Sequence, residues 1–261
     1  MYQFKHHKST SVDHASELHS NSDEGLYLAG GMTLIPSMKL RLTAPTDLID
    51  LSSIEGLAGI SNSYAGLRIG AMTRHCEVSA SSEIPALASL ASLIGDNQVR
   101  NRGTIGGSLA NNDPAADYPA AVLGLGATIH TNKRDIDGDS FFLGLFETAL
   151  DEGEIITAVT FPIPKRAAYA KFPNPASRYA IVGAMVSDSG SGIRVGITGA
   201  GACAFRATAF ESALNEDFSV DSISAIEIDH SDFNIDIHAS AEFRGHLIGA
   251  MVRQAVVQLT G

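Results

Sequence analysis

The order of apolar and polar residues predicts helices and strands that alternate over the first part of the chain. Residues 11–20 (SVDHASELHS) predict a helix, and residues 26–28 predict a short strand. A second helix is predicted to start within residues 34–40. Residues 45–51 (PTDLIDL) predict another strand, which runs parallel to the first if the helix between them is a crossover.

The middle of the chain continues this alternation. The small apolar residues of 85–94 (PALASLASLI) indicate a helix with a buried face. The other predicted elements, in chain order, are a hairpin of residues 57–60 and 67–71, a helix capped by Thr73 and running to Val78, a helix at 120–125, and strands at 127–131 and 157–161.

The last third of the chain predicts a sheet backed by helices. Strands are expected at 180–186 and 193–199, and helices at 204–214 and 240–259. The last helix has apolar residues at helical spacing: Phe243, Leu247, Ile248, Met251, Val252, Val256 and Leu259. The composition changes near residue 165, where we expect a domain boundary.

Composition and charge narrow the classes of function. The chain has 261 residues, of which 44% are hydrophobic and 18% charged. Its net charge of −11 argues against binding to nucleic acid, which requires a positively charged surface. No apolar segment reaches the length of a membrane span. The polar start of the chain lacks the apolar region of a secretory signal, and Cys76 and Cys203 stand far apart without a CxxC partner. We therefore expect a cytoplasmic protein.

Two glycine-rich stretches are candidates for ligand binding. The first, at residues 29–34 (AGGMTL), lies between a predicted strand and a predicted helix, where free N–H groups favour an anion. It matches neither GxGxxG nor GxxxxGK[ST], so neither a Rossmann unit nor a P-loop is indicated. A tight connection that binds no ligand is the alternative.

The second glycine-rich stretch is residues 100–119 (RNRGTIGGSLANNDPAADYP). Its three glycines are expected to adopt positive φ and bring the backbone close to a ligand. Short donors follow them, namely Thr104, Ser108, Asn111 and Asn112. A second turn is expected at Asp113, Pro114 and Asp117. An elaborate surface loop is the alternative.

Four segments together resemble the FAD-binding medium subunit of molybdenum hydroxylases, the group of carbon monoxide dehydrogenase and of the flavin domain of xanthine dehydrogenase. They are AGGMTLIP at 29–36, the stretch 100–119, KFPNPASRYA at 171–180 and AEFRGHL at 241–247. The resemblance covers nearly the whole chain, in matching order and spacing. It implies an α+β fold, in which two FAD-clasping α/β subdomains of the PCMH type (about 1–55 and 56–165) form a domain at 1–165. An antiparallel sheet with a helical layer follows at 166–261.

The resemblance also implies a set of cofactor-binding residues, whereas no catalytic residue and no metal ligand is expected in this chain. Both glycine turns would hold the FAD diphosphate through backbone N–H groups and hydroxyls. The implied residues are Ala29, Gly30, Gly31, Met32, Thr33, Leu34, Thr104, Ile105, Gly106, Gly107, Ser108, Asn111, Asp113, Ala116, Asp117, Ile155, Ile156, Lys171 and Tyr179.

Specific roles follow for five of these residues. A diphosphate repels a carboxylate, so Asp117 is expected to accept hydrogen bonds from ribityl or ribose hydroxyls or from backbone N–H groups. Either Ile155 or Ile156 packs on the isoalloxazine, because neighbours on a strand point to opposite faces. Lys171 supplies positive charge near the flavin. Tyr179 contacts the flavin edge, where relatives often have an acid.

The resemblance implies an electron-transfer subunit rather than a self-sufficient catalyst. Partners would be a small subunit with [2Fe–2S] clusters and a large subunit with a molybdopterin-type molybdenum cofactor, assembled as a dimer of heterotrimers. An external acceptor such as NAD, a quinone, another carrier or oxygen would take the electrons. Two alternatives are a self-contained FAD-dependent oxidoreductase with its own small substrate and a flavin-free scaffold subunit.

Overall fold

The structure, a computed structural model, describes residues 1–261 and shows an α+β fold, as the sequence predicts. The helices are α1 Val12–Ser20, α2 Leu34–Lys39, α3 His75–Ser79, α4 Pro85–Ser92, α5 Asn97–Arg100, α6 Ile105–Asn111, α7 Tyr118–Leu125, α8 Thr208–Glu216 and α9 Ala241–Thr260. The strands are β1 Lys5–Lys8, β2 Gly25–Leu28, β3 Asp47–Asp50, β4 Ile60–Ser63, β5 Gly66–Gly70, β6 Thr128–Thr131, β7 Asp135–Asp137, β8 Phe142–Gly144, β9 Glu147–Thr148, β10 Ile156–Phe161, β11 Arg166–Pro173, β12 Ala180–Asp188, β13 Ile193–Thr198 and β14 Phe205–Arg206.

The first sheet is small and parallel, in the order β1–β3–β2. The predicted parallel pairing of the strands at 26–28 and 45–51 is thereby confirmed. Ser11 caps α1 by accepting a hydrogen bond from the His14 N–H at 3.1 Å. Ala15 of this helix and Ile49 of β3 are fully buried in a shared core. β2 is an edge strand of this sheet and ends at Leu28, directly before the first glycine-rich stretch.

The second sheet has five strands in the order β4–β5–β10–β6–β7, all paired antiparallel. Its inward residues, such as Leu67, Ile69 and Val159, share a core with the alanine-rich helices α4 and α7. The alternation of buried residues in β5 is the pattern of a strand with one face against that core. β8 and β9 form a separate two-stranded hairpin.

The third sheet is formed by residues 166–206 and packs against helices from both halves of the chain. Its order is β11–β12–β13–β14, fully antiparallel, and its central strand β12 is buried over eight of nine residues. α9 packs against β11 and β12, whereas α7 packs against β12 and β13. All eight residues of α7 are buried, and a Cβ at Gly196 would lie 2.2 Å from the Ala120 carbonyl oxygen. The close approach of α7 to this sheet therefore requires glycine.

Three local predictions are wrong. The hairpin strand predicted at 57–60 lies at Ile60–Ser63 (β4), so the prediction includes only its first residue. Thr73 does not cap α3: its hydroxyl donates to the Gly59 carbonyl oxygen, and the N-cap is Arg74, whose N–H donates to the Glu77 carboxylate at 2.9 Å. The helix predicted to begin at residue 204 begins at Thr208, because the preceding residues form β14 against β13. None of the nine helices combines the length and the mean hydropathy that a membrane span requires.

Candidate cofactor site

A cavity of about 710 Å³ lies where the three sheets approach one another. Its wall includes the end of β2 and the start of α2, the first turn of α6, the start of β10, and residues 177–179 after β11. This volume falls within the range of about 300–1,000 Å³ that is typical of small-molecule and cofactor sites. Most of the predicted site residues, from widely separated parts of the chain, meet on this wall.

The first glycine turn (residues 29–34) faces the cavity with free backbone donors. β2 ends at Leu28 and α2 begins at Leu34, and Gly31 has φ +74° between them. The backbone N–H groups of residues 29–33 donate to no acceptor within the protein. Successive N–H groups exposed in this way form a concavity that binds anions. The turn therefore has the geometry that the sequence predicts for an anion site.

The second glycine turn (residues 103–108) is built differently from the expectation. Gly103, Gly106 and Gly107 do not adopt positive φ, because Thr104 caps α6 and the last two glycines lie in its first turn. The N–H groups here have acceptors: that of Gly107 donates to the Thr104 hydroxyl at 3.2 Å, and that of Gly106 to the Ala71 carbonyl at 2.8 Å. The glycines therefore allow α6 to pack closely against its neighbours, and they do not form a second anion-binding concavity.

The structure brings the two turns into direct contact. A Cβ at Gly30 would lie 2.2 Å from the Arg102 carbonyl oxygen and 2.8 Å from the Gly103 Cα. A Cβ at Gly107 would lie 3.4 Å from the Ala29 Cβ. The first two distances leave no room for a side chain at Gly30, so the neighbouring backbone requires glycine there, whereas the separation at Gly107 is that of a close contact.

Asn112 does not face the cavity, contrary to the expectation that it is a ligand donor. It ends α6 in the left-handed region (φ +42°), and its amide donates to the carbonyls of Gly144 and Glu147 at 2.9 and 2.7 Å. It therefore fastens the β8–β9 hairpin to α6. The neighbouring Asn111 and Asp113 do line the cavity. Burial raises the pKa of Asp113, against an opposing hydrogen bond from the Ala115 N–H.

Lys171 also departs from its predicted place beside a ligand. It does not line the main cavity, and its Nζ lies 2.8 and 2.9 Å from the two carboxylate oxygens of Asp117, in an ion pair whose side chains are only 2% and 3% exposed. The Tyr169 hydroxyl donates to the same carboxylate at 2.6 Å. Burial raises the pKa of Asp117, and the Lys171 ammonium and the Tyr169 hydroxyl oppose that shift. The charge of Lys171 is thus compensated inside the protein.

The apolar side of the cavity is formed around the start of β10. Ile155 belongs to the core of the first sheet and Ile156 to that of the second, and both also contribute to the wall. Ile105, a predicted site residue, is instead fully buried in the second core and does not reach the cavity. Tyr179 lines it and remains 43% exposed, and its partial burial, followed by the charges of Asp113 and Asp117, raises its pKa.

Seventeen of the nineteen predicted residues therefore line one cavity, with Ile105 and Lys171 as the exceptions. Sequence reasoning missed other lining residues, of which His75 and Arg178 bear most on ligand binding. His75 follows β5 in a segment that shows no glycine pattern. Arg178, the one arginine or lysine on the wall, lies within the KFPNPASRYA segment and has φ +62°; its guanidinium donates to the Gly95 carbonyl oxygen.

Comparison with known proteins gives consistent results. The family described as "FAD binding domain in molybdopterin dehydrogenase" matches residues 2–164. The nicotine 6-hydroxylase medium subunit of Paenarthrobacter nicotinovorans is 30% identical, over 95% of this chain and 94% of that one. The carbon monoxide dehydrogenase medium chain of Hydrogenophaga pseudoflava is 33% identical, over 97% and 96%. A solved structure of carbon monoxide dehydrogenase from Oligotropha carboxidovorans superposes with a TM-score of 0.89 at 30% identity, covering 98% and 96%.

Proposed function

The chain belongs to the FAD-binding medium subunits of molybdenum hydroxylases, and from that premise we propose that it is the electron-transfer subunit of such a complex. It receives electrons from the [2Fe–2S] clusters of a small partner subunit and passes them to an external acceptor, which is NAD, a quinone, another carrier or oxygen. Substrate is hydroxylated on the large subunit, which holds the molybdopterin-type cofactor. This chain is accordingly an oxidoreductase subunit that needs no general acid or base of its own.

One observation carries the assignment of FAD to this cavity, namely the free N–H groups of residues 29–33 around Gly31. A diphosphate is the part of FAD that such a concavity recognises. Thr33 and Ser108 line the same cavity, and their hydroxyls would add donors for the diphosphate. The residues present therefore fit a flavin dinucleotide better than an uncharged ligand.

The remaining wall fits the other parts of the cofactor. Asp113 lines the cavity and can accept hydrogen bonds from sugar-type hydroxyls. Ile155, Ile156 and Tyr179 provide an apolar boundary suited to the isoalloxazine. Bound FAD supplies the exchange between one-electron and two-electron transfer, and the protein supplies its binding, orientation and electrostatics.

The assembly and the domain division are also proposals. We propose one FAD-binding domain at 1–165, with subdomains at about 1–55 and 56–165, and a C-terminal domain at 166–261. The separate sheets and the family match over residues 2–164 support this division. The relatives are named as medium chains and subunits, which supports a complex with small and large partners, and we propose a dimer of heterotrimers. Free Cys76 and Cys203 are in keeping with a cytoplasmic location.

The test is to purify the chain alone and together with its genomic neighbours, and then to record absorption spectra and turnover. We expect flavin absorbance, with no turnover until the iron–sulfur and molybdenum partners are added. Turnover by the isolated subunit would support a self-contained oxidoreductase instead. A folded, colourless protein that cannot be reconstituted with FAD would support a scaffold role.

A further inference from the structure

His75 is a buried histidine at the joint between the two glycine turns. It opens α3, is only 5% exposed and lines the cavity. A Cβ at Gly103 would lie 2.4 Å from its Nε2, so the absence of a side chain at Gly103 is what admits the imidazole. Gly103 in turn contacts Gly30 of the first turn. The ring therefore lies directly behind the place where the two turns meet.

The two ring nitrogens of His75 have different surroundings. Nδ1 is enclosed and has no hydrogen-bond partner, whereas Nε2 lies beside Gly103 and is not among the fully enclosed atoms that lack a partner. The Tyr118 ring packs against the imidazole with centroids 5.3 Å apart, which fixes the orientation of the histidine. A donor and an acceptor that meet in a buried place gain more than a pair in water, so Nε2 is the ring nitrogen at which a ligand contact would matter.

The charge state and tautomer of His75 follow from these surroundings. Burial, and after it the positive charge of Arg100, lowers the pKa of His75 to about 4, so the imidazole is neutral at physiological pH. A neutral imidazole has one N–H group. Because Nδ1 has no acceptor to donate to, we place the proton on Nε2. His75 then presents a single N–H donor towards the cavity.

We propose that His75 is a further FAD-binding residue, whose Nε2–H donates a hydrogen bond to a diphosphate oxygen held at the first glycine turn. This inference rests on the proposed function, because it needs FAD in the cavity. A neutral donor suits this position, since the first glycine turn already has five backbone N–H groups without an acceptor. Glycine at position 103 is then also needed for FAD binding, because any side chain there would displace the His75 imidazole.

The experiment titrates FAD into the purified full chain and measures the dissociation constant by quenching of flavin fluorescence. His75→Leu removes the donor, and we expect binding to weaken about 10- to 100-fold, the effect of losing a hydrogen bond to a charged group. His75→Gln keeps an N–H donor of similar reach and should lose less than about fivefold. Gly103→Ala should resemble His75→Leu. His246→Gln, an exposed histidine on α9, is the control.

A second measurement is made on the wild-type chain and uses His75→Gln only to assign the signals. In protein labelled with ¹⁵N-histidine, the His75 signals, assigned from the His75→Gln spectrum, should show a neutral imidazole with its proton on Nε2. The Nε2–H signal should shift when FAD is added. A proton on Nδ1, or an unchanged signal at saturating FAD, would overturn the inference, as would wild-type affinity in His75→Leu. If the wild-type chain binds no FAD, the proposed function itself fails.

Discussion

Replacing Lys171 with methionine tests whether this lysine belongs to the protein interior or to the flavin. The Nζ contacts both oxygens of Asp117 at 2.8 and 2.9 Å and also donates to the Leu93 carbonyl oxygen at 3.1 Å. Lys171→Met leaves the Asp117 carboxylate buried with Tyr169 as its remaining side-chain partner. Removing one member of a buried ion pair costs about 3–5 kcal/mol, so we expect a loss of that size in the free energy of unfolding.

The double variant Lys171→Met/Asp117→Asn removes both charges. Replacing a buried ion pair with uncharged groups is close to neutral, so the double variant should recover most of the loss, leaving about 1–2 kcal/mol. The assay is urea unfolding of FAD-free protein followed by far-UV circular dichroism, with Lys165→Met, at an exposed lysine, as the matched control. A loss below about 1 kcal/mol for Lys171→Met, combined with a changed visible spectrum of the bound flavin, would show that the lysine acts on the flavin instead.

Three further predictions concern the joint between the turns and the buried histidine. Gly30→Ala places a Cβ 2.2 Å from the Arg102 carbonyl oxygen and should weaken FAD binding more than tenfold, measured by fluorescence titration against Gly249→Ala on α9 as control. Gly107→Val fills the space beside the first turn and should expel FAD; a folded variant with full flavin occupancy would contradict this. Burial lowers the pKa of His75 from 6.5 to about 4, so its contribution to stability is complete above pH 6.5 and lost as the pH falls to 4. Between these pH values the wild type should lose about 3 kcal/mol more of its free energy of unfolding than His75→Gln, measured by urea unfolding.

Sequence reasoning succeeds here where the determining interactions are local. The β2–turn–α2 unit is predicted from a few consecutive residues, because a strand, a glycine and a helix start leave their pattern side by side. α9 is predicted almost to the residue, since its apolar face repeats over twenty positions. The grouping of both glycine turns in one cavity came from the family resemblance and not from spacing.

Prediction from sequence fails where the partner of a residue is distant along the chain. Lys171 pairs with a carboxylate 54 positions away, and no local pattern distinguishes a paired lysine from a free one. Asn112 donates hydrogen bonds to a hairpin more than thirty residues later in the chain, so no local pattern predicts this contact either. Gly103 was expected to provide positive φ, whereas its function is to leave room for His75, which only the packed structure reveals.

The most direct test of the central claim is the transfer of electrons into this chain from its partner. The FAD-loaded chain is mixed anaerobically with the iron–sulfur subunit that has been reduced beforehand, and flavin absorbance is followed. We expect the absorbance to bleach and then to recover when an acceptor is added. Absorbance that stays unchanged with the reduced partner, or that bleaches with a small substrate when no partner is present, would contradict the proposed function.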